Sequence, residues 1–395
     1  MRAIPASIQA LPDRAGELQA LLIRWCGQNS GSDHPAGLAA MADLLVDAFQ
    51  VLGGRIETVP LPGTAARAVR VVVRPQAPVR VLLSGHYDTV YSAGHPFQAC
   101  RLLDPATLNG PGVADMKGGL VAMLAALETF EKTPSCSQLG YEVLLSPDEE
   151  IGTPGTAGLL AEAARQHHLG LVFEPARPDG RLVRTRMGTG RLSVRVTGRA
   201  AHAARPGEGI NAISALARFV VAIERLPEEI PGLLLTVVRA AGGSGALNIV
   251  PDLAEAIADV RVTSAEAAAA LTRRLQAIAA QAATQEGLSI DPVVTLNRPA
   301  KGTGPMEATL FAAFQSAATD LGQTALGWVD VAGGSDGNLL HAAGLPNLDG
   351  IGPVGDHLHS ERETVFLPSL VESAQRAALV LHRLAAGELA LPSTR

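Results

Sequence analysis

Val79-Arg80-Val81-Leu82-Leu83-Ser84-Gly85-His86-Tyr87-Asp88 is an apolar run, bounded by Pro78, that ends in His-x-Asp. Its length and aliphatic content predict a buried strand. Residues two apart in an extended chain share a face, so His86 and Asp88 are expected on one side. The carboxyl ends of strands in an open α/β sheet form its ligand crevice. There, an imidazole whose second ring nitrogen is held by a carboxylate suits a metal ligand. A lone His-x-Asp is more often structural, and the downstream pattern is what gives this one meaning.

That pattern repeats. Asn109-Gly110-Pro111-Gly112-Val113-Ala114-Asp115-Met116-Lys117-Gly118-Gly119 is a glycine-rich loop with one carboxylate before an apolar helical stretch, Leu120 to Phe130. A second strand, Tyr141 to Ser146, runs into Pro147-Asp148-Glu149-Glu150, and a third, Leu169 to Phe173, into Glu174-Pro175. Gly355-Asp356-His357-Leu358-His359-Ser360-Glu361 precedes the last helix. Singly, each piece has a plain reading. Asp148 to Glu150 can be a solvated turn and Asp115 a helix cap. His357 and His359 lie on a segment expected to be extended; one of them can be a ligand and the other face solvent. Jointly, all five pieces fall at segment ends where a parallel sheet opens its cleft. Oxygen and imidazole donors with no nearby Cys point to Zn, Mn or Co.

With 395 residues, two or three domains are expected at about 150 residues each. Hydrophobic content is 47% and aromatic content only 3%, so the core is mainly Ala, Leu and Val. Net charge is 32 − 38 = −6, which points to neither nucleic acid nor a membrane surface as partner. Cys26, Cys100 and Cys136 lie outside every motif and cannot all pair. Reduced thiols and a cytoplasmic location are expected. No uninterrupted apolar run reaches the roughly 18 residues of a membrane span. The stretch from Arg2 to Arg14 has no apolar signal core.

Between about Arg181 and Arg298 the order changes to strand (Leu192 to Val196), helix (Ile210 to Glu224), strand (Leu233 to Ala240), strand (Ala254 to Val262), helix (Ala265 to Glu286), strand (Ile290 to Leu296). This β-α-β-β-α-β order is ferredoxin-like. Thr263-Ser264-Ala265-Glu266 reads as a capping box for the second helix, and Ser369-Leu370-Val371-Glu372 as one for the last helix. The fold class is therefore α/β: a catalytic domain (1–185 and 299–395) with a mostly parallel sheet flanked by helices, interrupted by a ferredoxin-like α+β domain (186–298). Apolar residues Ile213, Leu216, Phe219, Val220 and Ile223 lie on more than one side of the first inserted helix, which suggests a contact beyond its own sheet.

Taken in order, His-x-Asp, Gly-Pro-Gly-x-x-Asp-x-Lys-Gly-Gly, Asp-Glu-Glu, Glu-Pro and His-Ser-Glu resemble the cocatalytic dizinc amidohydrolases and peptidases. That family includes glutamate carboxypeptidase, acetylornithine deacetylase and succinyl-diaminopimelate desuccinylase, and the bacterial folate-cleaving glutamate carboxypeptidases look nearest. The resemblance covers nearly the whole chain. It implies that His86, Asp115 and Glu174 hold one metal and Asp115, Glu150 and His359 the other, with Asp115 bridging. It implies two divalent ions, zinc first and cobalt or manganese next. A bridging carboxylate suits ions about 3.5–4 Å apart. Asp88 would orient His86, Glu149 would be the general base, and the Asp115–Met116 peptide bond would be cis.

The resemblance also assigns a role to His202, in Ala201-His202-Ala203-Ala204, where the family has a Ser-His-Ala-Gly-like pattern. It would reach the partner subunit's site in a homodimer and polarise the scissile carbonyl; read alone, it is a surface histidine. Asn248, Arg261 and Arg298 resemble substrate contacts, the arginines for a carboxylate. Arg261 reads equally as half of a strand-end salt bridge. Gly334, in Gly333-Gly334-Ser335-Asp336-Gly337, resembles a substrate-backbone loop whose helix start would suit an anion. The implied reaction is attack by a metal-bridged hydroxide on an amide, releasing a C-terminal amino acid from an N-acyl or peptidyl group. Alternatives are an N-acyl-amino-acid deacylase of the acetylornithine type, a dipeptidase, or an inactive scaffold. The complete ligand set together with Glu149 argues against the scaffold.

Overall fold

Apolar strands buried on both faces need helices on both faces, and the larger part of the molecule is built this way. The computed structural model describes residues 3–389 apart from positions 63 and 284. The chain divides into two compact units: Met1–Thr185 with Thr303–Val331 and Ser335–Arg395, and Arg186–Gly302 with Ala332–Gly334.

The larger unit holds an eight-stranded sheet in the order Arg55–Pro60, Arg67–Val73, Leu139–Ser146, Val79–His86, Leu169–Val172, Asn347–Asp349, Leu182–Arg186, Trp328–Val331. The four central strands, from Leu139–Ser146 to Asn347–Asp349, are parallel, and their neighbours at either side are antiparallel. Alternation along these strands sends side chains to two cores. Val81, Leu83, Val143 and Leu145 enter the core beneath helices Ala15–Cys26, Pro35–Phe49, Lys117–Phe130 and Leu367–Ala385. Leu82 and Leu144 enter the other, with Leu160 and Ala163 of helix Ala157–Gln166. The stretch Pro35–Leu52 is long and apolar enough for a membrane span by length and composition. It carries Asp43 and Asp47, however, and Leu38, Met41, Leu45 and Phe49 pack into the core. A small antiparallel sheet joins Gly355–Asp356, Thr364–Phe366, Thr107–Asn109 and Arg101–Asp104.

The smaller unit is a four-stranded antiparallel sheet in the order Leu233–Gly242, Leu253–Val262, Gly188–Thr197, Ser289–Arg298. Helices Ala212–Ile223 and Ala265–Ala282 close its core. Numbered along the chain, its strands run 2-3-1-4, the ferredoxin-like arrangement.

Three local expectations are corrected. The cap of Ala265–Ala282 is Ser264, whose hydroxyl accepts from Ala267 N–H, so no Thr263/Glu266 box forms. The last helix starts at Leu367 with Pro368 in its first turn; Ser369 lies inside it, donating to Phe366 O and accepting from Val354 N–H. Of the five apolar residues expected on several sides of Ala212–Ile223, Leu216, Phe219 and Ile223 face its own core. Val220 packs against that core while half-buried, and Ile213 alone of the five is exposed; Val221, outside the set, is exposed as well.

Candidate metal centre

Parallel strands place their last residues side by side, and the register here pairs His86 with Ser146. The segments that continue from these ends converge. His86 Nε2 lies 3.1 Å from Asp115 Oδ1, 3.6 Å from Glu174 Oε1 and 3.9 Å from Glu149 Oε2. His359 Nε2 lies 3.1 Å from Asp115 Oδ2 and 3.1 Å from Glu150 Oε2. The two Asp115 oxygens thus face different imidazoles, each imidazole with a further glutamate. Ligand atoms of His86, Glu149 and Glu174 lie within 4.8 Å of one another, as do those of His86, Asp115 and Glu150. The Asp115–Met116 bond is cis, as the resemblance implied. Asp115 does not cap the helix that follows, which starts at Lys117 with Met116 as its N-cap.

His357 and His359 do not lie on an extended segment. Both have left-handed backbone, with φ of 55° and 59°. Such a conformation in a non-glycine residue costs about 1–3 kcal/mol and persists where its surroundings impose it. Here it turns His359 towards Asp115, while His357 stays beside Asp356; both rings are half-exposed.

Behind the cluster lies a set of fixing contacts. Asp88 is fully buried; its carboxylate stands 3.3 Å, and its carbonyl 3.1 Å, from His86 Nδ1. The same carboxylate accepts from the backbone N–H of Glu149 and Glu150 and from Ser32 Oγ. It therefore orients the imidazole and also holds the turn carrying two glutamates. Glu363, which sequence reasoning missed, performs the second task of this kind. Its Oε1 accepts from Ala114 and Asp115 N–H, and its Oε2 from Gly112 N–H and Tyr91 OH. The signal was present as a second carboxylate four residues after His359. Lys117, conspicuous in the glycine-rich motif, serves the scaffold: its buried Nζ donates to Trp25 O and Gln28 O. Gly119 is required by close approach, since a Cβ there would collide with Phe173 O just before Glu174.

Burial would push the His86 imidazole down, but hydrogen bonds to Asp115 and Asp88 and the fields of Glu149 and Glu174 hold it well above the ordinary histidine value. His359 is raised to about 11, chiefly by hydrogen bonds to Asp115 and Glu150. Burial would raise Asp115, yet His359 and His86 bring it below the usual carboxylate range. Glu150 is pushed up by burial and by Asp115. Glu363 is pushed up to about 7 by burial and the Asp115 charge. Asp88, Asp115, Glu149 and Glu174 are each under 9% exposed, and buried like charges at this spacing call for cations. Two imidazoles and three carboxylates, with Asp115 shared and Glu149 beside them, fit a pair of borderline or hard divalent ions, and no thiolate lies among them.

The remaining expected residues all belong to the smaller unit. His202 is exposed on the two-residue ladder Ala201–His202 against Ile249–Val250. Its Nδ1 accepts from Ala204 N–H, leaving the proton of the neutral ring on Nε2. Exposed Asn248 adjoins it, its carbonyl accepting from Ala203 N–H. Arg298 is buried with its stem against Gly334. Arg261 pairs with Asp259 at 3.0 Å and donates to Ala332 O, the strand salt-bridge reading. The helix start after Gly334 is not an anion site. Ser335 caps it by accepting from Gly337 N–H, and buried Asp336 occupies it, accepting from Ser146 and Thr153 hydroxyls.

Carboxypeptidase G2 of Pseudomonas sp. (strain RS-16) is 27% identical over 384 residues, covering 96% of this chain and 92% of that protein. Aminopeptidase PepT of Bacillus cereus superposes with a TM-score of 0.78 at 19% identity, covering 94% of this chain and 99% of that one. The Bacillus subtilis YXEP protein, described as a dinuclear metal-binding peptidase of the M20 family, gives 0.71 at 15% identity, covering 95% and 99%. Residues 82–385 match Peptidase family M20/M25/M40. That span runs from the strand leading to His86 through His359 to the last helix, and the chain belongs to this family as a hydrolase of metallopeptidase type.

Proposed function

We propose that the chain cleaves an amide bond to release a C-terminal α-amino acid from an N-acyl or peptidyl group, using two divalent ions, zinc foremost. The observation that carries this reading is the split Asp115 carboxylate, one oxygen toward His86 and Glu174 and the other toward His359 and Glu150. His86, Asp115, Glu150, Glu174 and His359 would hold a pair of divalent ions, which when bound would supply Lewis acidity toward a carbonyl and toward water. Glu149, beside His86 and held by its backbone N–H on Asp88, takes the proton from the attacking water and delivers it to the leaving nitrogen. Arg298 grips the carboxylate of the departing amino acid, with Arg261 and Gly334 at the same end of the sheet, whereas Asn248 lies with His202 at its other end.

The same reading makes the enzyme a homodimer through the smaller unit. Edge strand Leu233–Gly242 exposes Leu234 (50%) and Val238 (62%), and helix Ala212–Ile223 exposes Val221 (59%). A long apolar edge of this kind calls for cover. The N–H on Nε2 of the partner subunit's His202 would then donate to the carbonyl oxygen as negative charge develops. Unpaired Cys26, Cys100 and Cys136 agree with a reducing, cytoplasmic setting.

Elemental analysis of the purified protein, followed by a zinc-supplemented screen of N-acyl amino acids and dipeptides, tests the reading. About two metal ions per chain and release of a free C-terminal amino acid are expected. Hydrolysis confined to dipeptides with a free N-terminus would favour the dipeptidase alternative, and fully loaded protein inert on every class would favour a scaffold.

A further inference from the structure

A cavity of about 470 Å³ in the larger unit contains none of the metal-cluster residues. It lies among the 178–180 turn, residues 324–326, the hairpin of Gly355–Asp356 with Thr364–Phe366, and helix Leu367–Ala385. Arg376 lines it and is only 4% exposed. Its guanidinium donates to two neutral acceptors, Gln323 Oε1 at 2.8 Å and Ser373 Oγ at 3.0 Å. Among the described residues its nearest carboxylate is Glu372, at 3.8 Å, at the limit of an ion pair and 40% exposed. A buried cation with so little compensation is costly unless an anion meets it. Burial alone lowers Arg376 to about 10, against the pull of Glu372.

The cavity wall carries the opposite charge. Asp356 and Glu372 line it, and Asp179 lines it with its carboxylate held by Arg181 at 2.6 Å; each is far more exposed than Arg376. A simple anion would satisfy the guanidinium but be repelled by these carboxylates, and a simple amine would meet the reverse. A ligand carrying both charges a few ångströms apart satisfies both. Leu326, Val354 and Phe366 add apolar surface, and small-molecule sites commonly combine such a wall with a few convergent polar groups.

We propose that this cavity is a second, non-catalytic site that binds a free α-amino acid, its carboxylate on Arg376 and its ammonium among Asp179, Asp356 and Glu372. The fork of guanidinium donors suits a carboxylate bidentately. The inference stands apart from the reaction assigned to the metal cluster and uses none of its residues.

Titration calorimetry of the full-length, zinc-loaded enzyme tests it, with L-leucine, acetate, inorganic phosphate and isoamylamine as probes. Leucine should bind at least about tenfold more tightly than the other three. That binding should weaken by about tenfold or more in Arg376→Gln and persist in His359→Ala, which disrupts the metal cluster instead. A second variant guards against misfolding of the first. Asp179→Asn combined with Glu372→Gln alters two partly exposed residues and should lower leucine affinity while raising acetate affinity, a crossing that misfolding does not produce. Absence of leucine binding, equal binding of phosphate or acetate, loss of binding in His359→Ala, or an unchanged leucine-to-acetate ratio in the double variant would each overturn the proposal.

Discussion

In the larger unit, His86 and the segments bearing Asp115, Glu149 and Glu174 continue directly from buried strands or lead into a buried helix, and their side chains converge within ion-pair distances. In the smaller unit, His202 sits exposed on a two-residue ladder with exposed Asn248 beside it, and Arg261 is engaged by Asp259. The larger unit holds its functional groups by sheet register and by buried carboxylates that clamp backbone N–H groups. The smaller unit offers groups whose setting depends on what they meet. Groups of the first kind keep a charge pattern rigid, and groups of the second kind leave recognition adaptable.

The largest effect should come from the one cluster glutamate assigned to chemistry rather than ligation. Glu149→Gln should keep both ions while kcat falls by about 10²-fold or more. Glu150→Gln should do the reverse, weakening one metal site. Loss of an ion from the Glu149 variant, by elemental analysis, would move that residue among the ligands.

Next comes the claim that the exposed His202 completes a site in a second copy. His202→Ala and Glu149→Gln homodimers should each be nearly inactive. Mixed and allowed to exchange, they should recover activity approaching one site per heterodimer. A fully active monomer, or no recovery despite proven exchange, would sink the idea.

Glu363 sharpens the contrast from the other side. Its carboxylate accepts three backbone N–H groups of the Asp115 loop. Glu363→Gln replaces one acceptor oxygen with an amide donor facing those donors. Metal affinity should fall about 10–100-fold, the range for supporting contacts. The visible spectrum of the cobalt-substituted variant should shift, whereas a spectrum and affinity matching the native enzyme would reduce Glu363 to a packing residue.

Proton competition is the next step down. Without metal, His359 is raised to about 11 and His86 is held above the ordinary histidine value, both by the carboxylates around them. Ions bind neutral imidazoles, so loading should expel protons and metal affinity should rise with pH. The sign for stability is opposite in the metal-free protein. A raised folded-state value contributes fully below the ordinary histidine value of 6.5 and is lost as pH climbs toward 11. The gap in Tm between loaded and metal-free enzyme should therefore widen from pH 6.5 to 9. Calorimetry in buffers of different ionisation enthalpy would count the protons, and a count of zero would refute the scheme.

What was legible in the sequence follows the same division. Apolar strands ending in charged residues are visible in one dimension, so His86, Glu149, Glu150 and Glu174 could be read off segment ends. The β-α-β-β-α-β order of 186–298 was equally plain, because its periods of two and 3.6 alternate cleanly. Glu363 was not legible, because its function is to receive N–H groups from a loop some 250 residues earlier in the chain. Nor was the left-handed turn at His357 and His359, where no glycine marks the positive φ. The helix start after Gly334 misled, since the buried Asp336 that disqualifies it as an anion site is held by Ser146 and Thr153, far away in sequence.

The smallest effect should separate the two units most cleanly. Helix Ala212–Ile223 is capped by Asn211, whose side chain accepts from Ser214 N–H at 3.0 Å. The helix packs Ala212, Ala215, Leu216, Phe219 and Ile223 into the core of the smaller unit. Asn211→Ala leaves that N–H to water and should cost about 1 kcal/mol. In a domain of this size that lowers Tm by a few degrees. If the two units unfold as separate cooperative blocks, calorimetry should show one transition moving and the other fixed. Metal stoichiometry and affinity should not change, because every carboxylate clamp on the cluster lies in the larger unit. A loss of bound metal in this variant would mean that the smaller unit braces the cluster after all, and the contrast between a rigid charge pattern and an adaptable recognition face would fail.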